Sequence, residues 1–181
     1  NNPFTLAYED DGKIKVVNHS GEVVDFLKYS DGSYVNVSDT VKIVSGLGDT
    51  YVMDVENGST ANSANVQIYT RQDVDAQKFR ISASPVNNYY NLAMFSNTAK
   101  VVDIADGSTS NGANVQIYDL NHTNAQQWAF VESSVDGYYY LKSNIGTCID
   151  VANGVAANNT NIQSFTCNQS VAQRWKFEKV S

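Results

Sequence analysis

The chain has 181 residues, enough to bury one sizeable core. Charged residues make up only 17% and the formal net charge is −7, which excludes the basic face that a nucleic-acid partner requires. No apolar run reaches the length of a membrane-crossing helix, so membrane insertion is not expected. Tyr and Gly each number 11 while Pro numbers 2, a mix that favours short strands and polar turns over helices. The chain opens on Asn1-Asn2-Pro3, without an initiator Met or a signal peptide, and reads as a processed product or an excised fragment.

Residues 1–38 read as a β-rich N-terminal segment or the remnant of a preceding module. Phe4-Thr5-Leu6-Ala7-Tyr8 is a strand candidate and Asp10-Asp11-Gly12 a turn. Lys13-Ile14-Lys15-Val16-Val17 alternates as a half-buried strand does. Ser20-Gly21 and Asp31-Gly32 are turn signals that bracket Val23-Val24-Asp25-Phe26-Leu27.

From residue 39 the chain repeats itself three times, at about 39–86, 87–135 and 136–181. Asp54-Val55, Val66-Gln67-Ile68-Tyr69 and Gln77-Lys78-Phe79 come first. Asp103-Ile104, Val115-Gln116-Ile117-Tyr118 and Gln126-Gln127-Trp128 follow. Asp150-Val151, Ile162-Gln163-Ser164-Phe165 and Gln173-Arg174-Trp175 come last. The Asp precedes its Gln by thirteen residues, its ring by fifteen and its Gln-x-aromatic element by twenty-three in every copy. The period is 49 and then 47, with the two missing residues falling between Leu141 and Asp150, where a loop absorbs them. Each copy predicts four short strands, with a polar Gly-, Ser- and Asn-rich loop after the Asp (57–65, 106–114 and 153–161). Self-similarity at this period signals a repeat architecture, and about twelve strands without a 3.6-residue apolar period predict an all-β fold closed by threefold pseudo-symmetry.

Cys148 and Cys167 stand in one repeat, where the other copies carry Val52 and Arg71, or Val101 and Leu120. A pair confined to one repeat favours a local disulfide and an oxidising, extracellular compartment; the alternative is two buried thiols in a cytosolic protein. Neither Cys nor His completes a metal-ligand set.

The triplicate Asp-(Val/Ile), Val-Gln-Ile-Tyr and Gln-x-Trp pattern resembles the ricin-type β-trefoil lectins, also called carbohydrate-binding modules of family 13, over about 140 residues. The resemblance implies a six-stranded barrel capped by three hairpins, with up to three shallow sugar sites. The sugars implied are galactose-type or plant-polysaccharide residues, with galactose, arabinose or xylose in mono-, oligo- or polysaccharides. By this match Asp103, Gln116 and Tyr118 form one site, Asp54, Gln67 and Tyr69 a second, and Asp150, Gln163 and Phe165 a third. The chemistry suits a neutral sugar. A carboxylate accepts from adjacent hydroxyls, an amide both donates and accepts, and a ring offers a platform to the sugar's C–H face.

Many members of that family place an Asn immediately before the Gln of Gln-x-Trp, whereas this chain has Ala76, Ala125 and Ala172. Asn124 or Asp75, one residue earlier, is the candidate substitute, and Val171 is none. Phe79, Trp128 and Trp175 are expected in the core, with the paired Gln side chains bonding buried backbone. The three Asp residues are read as ligand groups, against the alternative that they cap turns, and removal of Asp103 is expected to leave the fold intact. His19 and His122 read as solvated loop residues, and no nucleophile motif, phosphate loop or cofactor signature is present. A non-catalytic sugar-binding module that targets an attached upstream enzyme or toxin is therefore the leading expectation. The rival is a protein-binding β-trefoil such as a protease inhibitor.

Overall fold

The structure, a computed structural model, describes residues 12–180. The predicted strand Phe4–Tyr8 and the acids Asp10 and Asp11 lie outside the described residues. Fourteen strands form among the described residues, joined by loops and single turns of 3-10 helix. They are β1 (Lys15–Val17), β2 (Val23–Phe26), β3 (Thr40–Ser45), β4 (Tyr51–Val55), β5 (Ala64–Thr70), β6 (Phe79–Ala83) and β7 (Tyr90–Met94). The chain continues through β8 (Asn97–Ile104), β9 (Ala113–Asp119), β10 (Trp128–Glu132), β11 (Tyr139–Ser143), β12 (Thr147–Val151), β13 (Thr160–Thr166) and β14 (Trp175–Lys179).

The fold is all-β and closes on itself. Strands β3, β6, β7, β10, β11 and β14 hydrogen-bond in a ring, β14 returning to β3 from Trp175↔Ser45 to Lys179↔Val41. The ring has no free edge to template a foreign strand. The hairpins β4–β5, β8–β9 and β12–β13 cap one end. Their second strands also bond to one another, β5 to β9, β9 to β13 and β13 to β5. At that junction Asn114 Nδ2 donates to Asn65 Oδ1 at 3.0 Å and Asn161 Nδ2 to Asn114 Oδ1 at 2.9 Å.

Alternation sends one face of each ring strand inward. Ile43, Phe79, Leu92, Trp128, Phe130, Leu141, Trp175 and Phe177 meet there with no exposed surface. The three aromatics of the Gln-x-aromatic elements are thus core residues, as their spacing predicts. Both indoles also donate inward, Trp128 Nε1 to the Val102 carbonyl at 3.1 Å and Trp175 Nε1 to the Ile149 carbonyl at 3.3 Å.

The N-terminal segment packs against this barrel, and Ile14, Val16, Leu27, Tyr29 and Val35 join its main core. Strand β1 runs parallel to β10 (Val16↔Phe130) and antiparallel to β2 (Lys15↔Phe26). The alternation of residues 13–17 predicts one wet face, yet Ile14, Lys15, Val16 and Val17 are all buried. Lys15 tolerates this because its Nζ donates to Asn87 Oδ1 at 3.0 Å, while its backbone N–H donates to the Tyr90 hydroxyl at 2.9 Å. Val17, Ala129, Val131, Tyr140 and Cys148 form a small second apolar cluster under the segment. A disulfide joins Cys148 and Cys167, whose Cα atoms are 5.1 Å apart.

Candidate functional site

The capping hairpins assemble the predicted residues in pairs. Asp54 lies opposite Gln67 and Val52 opposite Tyr69 in the β4–β5 ladder, so acid, amide and ring share one face. The same register brings Asp103, Gln116 and Tyr118 together on β8–β9, and Asp150, Gln163 and Phe165 on β12–β13. The 13-residue spacing seen in the sequence is the length of the hairpin that makes these partners face each other.

Each acid is held by two amides. Gln67 Nε2 donates to Asp54 Oδ1 at 3.1 Å, Gln116 Nε2 to Asp103 Oδ1 at 3.0 Å and Gln163 Nε2 to Asp150 Oδ1 at 3.0 Å. The second oxygen accepts from the Gln of Gln-x-aromatic: Gln77 to Asp54 at 3.0 Å, Gln126 to Asp103 at 2.9 Å and Gln173 to Asp150 at 3.0 Å. These three buried Gln side chains also bridge backbone. Each donates to a carbonyl (Thr70, Asp119 or Thr166) and accepts from an N–H (Gln72, Asn121 or Asn168). Their predicted structural role holds. The clamp on the Asp is the part that residue-by-residue reading missed.

The expectation that an Asp could be removed without touching the fold therefore needs correction. Asp54, Asp103 and Asp150 are only 5–6% exposed, and both oxygens of each carboxylate are bonded inside the protein. A carboxylate has about four acceptor positions, so each acid keeps capacity for a ligand in an orientation set by the two amides. Burial pushes the Asp54 and Asp103 carboxyls above the ordinary carboxylate range, although their Gln donors pull the other way and the acids Glu56 and Asp106 nearby add a smaller push.

That direction carries a pH dependence. A raised acid stabilises the fold most below its unfolded pKa of about 3.9, and the contribution fades as pH rises through the folded value. Exposed Asp73 and Asp119, held low by Lys78 and Lys100, act in the opposite sense. Hydroxyl ligands need the ionised Asp. Affinity measured by calorimetry on acidification should accordingly fall at a pH above that at which an ordinary carboxyl of pKa about 4 protonates. Affinity that holds level down to that point would contradict the burial of these groups.

Two sets open onto clefts. Asp103, Gln116 and Tyr118 line one of about 1050 Å³, joined by Asn124, and Asp54, Gln67 and Tyr69 line another of about 650 Å³, joined by Asp75. Asn124 and Asp75 thus line the same clefts as Asp103 and Asp54. In the larger cleft Asn144, from the turn after β11, donates to Asn124 Oδ1 at 3.2 Å, and the Asn124 amide N–H groups meet no acceptor among the described residues. The alanines that replace the family's Asn lie under the loop that follows each acid. Ala125 and Ala172 are buried, and a side chain on Gly58 would come within 3.7 Å of the Ala76 Cβ.

That loop supplies residues the sequence reading passed over. Asn57, Asp106 and Asn153 take a left-handed conformation (φ 58, 58 and 56°), each followed by a glycine of positive φ. Asn and Asp tolerate this region better than other side chains. Asn57 lines the smaller cleft and Asp106 the larger. The signal was present, since an Asn-Gly or Asp-Gly pair stands three residues after every acid.

Comparison with known families agrees with this geometry. The model of the ricin-type β-trefoil lectin domain matches residues 88–181, and that of the ricin-type β-trefoil lectin domain-like family matches residues 34–118. The chain belongs to the ricin-type β-trefoil lectin family. Members of this family are carbohydrate-binding and generally non-catalytic, so carbohydrate binding is the supported activity of the fold.

Among solved structures this ricin-type chain is similar to the designed threefold-symmetric protein ThreeFoil, at 31% identity and a TM-score of 0.73. That match covers 78% of this chain and 99% of ThreeFoil. The exo-β-1,3-galactanase 1,3Gal43A from Clostridium thermocellum matches at 24% identity and a TM-score of 0.73, over 90% of this chain and 37% of that one. The Rhizoctonia solani agglutinin matches at 22% identity and a TM-score of 0.68, over 78% of this chain and 95% of that one. The chain thus spans little more than a third of the galactanase, and coverage of 90% reaches beyond the lectin-like repeats into the N-terminal segment. No curated protein sequence matches the chain.

Proposed function

We propose that this protein binds carbohydrate without catalysis, through the Asp103–Gln116–Tyr118 and Asp54–Gln67–Tyr69 clefts, with Asp150–Gln163–Phe165 as a third and weaker site. One observation carries the reading: an acid pre-oriented by two amides stands beside a half-exposed ring in an open cleft. Matching register in all three hairpins supports reading the fold as three pseudo-symmetric four-stranded repeats. Phe165 keeps the platform but lacks a hydroxyl, and Val171 stands where Asn124 stands in the second copy, so the third site has fewer polar partners. The ligands are neutral sugars containing galactose, arabinose or xylose. Each site alone binds in the micromolar-to-millimolar range, about −4 to −8 kcal/mol, and multivalent engagement raises avidity on a polysaccharide.

The setting proposed is secreted, in keeping with the disulfide, with the module targeting an attached catalytic or toxin domain to glycans. The galactanase, in which a chain of this fold makes up only part of the length, supports that arrangement. Calorimetric titration with galactose, lactose, arabinose and xylan fragments tests the reading. Saturable heat with at least one sugar is expected, and Tyr118→Ala should weaken the strongest site about tenfold or more without moving the melt. Flat titrations against every sugar, with tight capture of a protein, would favour the protein-binding alternative.

A further inference from the structure

A cavity apart from the two open clefts, sharing only Gln173 with the third acid's set, lies between the N-terminal hairpin and the barrel wall. It measures about 130 Å³. Val17 from β1, Tyr89, Val131 from β10, Tyr140 from β11 and the Cys148–Cys167 disulfide give it an apolar body. Asn18, His19, Lys142, Gln169 and Gln173 supply its polar side chains, and no acid lines it, in a chain of net charge −7.

Lys142 is the residue out of place. The strand pairs Val44↔Val52, Ala93↔Val101 and Lys142↔Cys148 are equivalent, so the other two copies carry an apolar side chain where the third carries a lysine. Among the described residues the Lys142 ammonium has no ion pair and no hydrogen bond, although the residue is half-buried. Lys28, Lys78, Lys100 and Lys176 each have a carboxylate partner and Lys42 donates to the Gln72 carbonyl, while Lys179, whose ammonium like that of Lys142 has neither ion pair nor hydrogen bond among the described residues, is exposed. A lysine whose stem is half-buried and whose ammonium has no partner inside the fold is left free to meet an anion from outside. Asn18 adds to the pattern: its Oδ1 already accepts from the Ser20 and Glu22 N–H groups, so its amide can only donate further.

We propose that this cavity is a second ligand site, which takes a small monocarboxylate with a flat apolar body, its carboxylate on Lys142 and its body against Tyr89, Tyr140 and the disulfide. A charge-assisted bond to an ammonium inside a partly dry pocket is the stronger kind. The size sets the class, because pockets for drug-sized ligands run about 300–1,000 Å³ and this one holds a single ring. The site exists only where the N-terminal hairpin covers the barrel, so the segment outside the repeats acquires a role.

Sodium benzoate titrated into the full chain is the probe, with benzamide as its uncharged counterpart and Lys142→Met as the variant. Saturable heat is expected, with chemical-shift changes at Val17, Ala129 and Val131. Binding should weaken at least tenfold for benzamide and at least tenfold in Lys142→Met. The variant should fold, because Val44 and Ala93 occupy the equivalent positions; should it fail to, the benzoate–benzamide comparison and the shift map on the parent chain decide alone. Absence of saturable benzoate binding, equal affinity for benzamide, affinity unchanged in folded Lys142→Met, or shifts centred on Tyr118 would each overturn the site.

Discussion

Trp128→Ala is expected to cost about 3–5 kcal/mol, the range for truncating a buried aromatic side chain. In a chain of this size that lowers the melting midpoint by roughly 6–20 °C. Trp128 has no exposed surface and sits among the inward faces of the ring strands, where Phe130 lies two residues on in β10. Its removal leaves a cavity that a closed barrel cannot collapse, because each strand is bonded on both sides. It also strips the Val102 carbonyl of its indole donor on the strand that carries Asp103. Thermal melting of the variant checks this, and a midpoint within a degree or two of the parent would remove Trp128 from the core.

Asp103→Ala is expected to do two things at once. Sugar binding in the larger cleft should disappear, and the fold should lose about 1–3 kcal/mol, the cost of leaving buried amide donors without their acceptor. Gln116 Nε2 loses its acid, and Gln126 Nε2 keeps only the Asp119 carbonyl. Asp103→Asn should not rescue either effect. Both carboxylate oxygens face glutamine N–H groups, so the new amide nitrogen would meet a donor whichever way it turned. A calorimetric titration paired with a melt separates this from Tyr118→Ala, which should lose affinity alone. An Asp103→Ala protein that melts like the parent would show that the amide clamp adds nothing to stability.

The hairpin registers explain why so much was legible in the sequence. Asp54, Asp103 and Asp150 pair with Gln67, Gln116 and Gln163 across ladders of constant length, so conserving the spacing is the same as conserving the contact. The inward aromatics were legible for a like reason, since an aromatic ring, Phe79, Trp128 or Trp175, returned at a fixed distance from each acid. Lys15 was not legible. Its polarity reads as a wet face, and only the covering strand and the distant Asn87 and Tyr90 make burial possible. The glutamine clamp was half visible: Gln77, Gln126 and Gln173 announced a structural role, but their bond to the acid spans 23 residues and two strands. The left-handed loop residues were written plainly as Asn-Gly and Asp-Gly, and read only as polar loop. The cavity beside Lys142 could not be read at all, because it is made by a segment that carries no trace of the repeat.

One measurement bears most directly on the account: a crystal structure of the full chain after soaking in a galactose- or xylose-containing disaccharide. A sugar ring is expected over Tyr118, with vicinal hydroxyls donating to the Asp103 carboxylate and one contact to Asn124. Clear density for the protein with no sugar beside Asp103, Asp54 or Asp150 would contradict the assignment of these acid–amide–ring sets as carbohydrate sites.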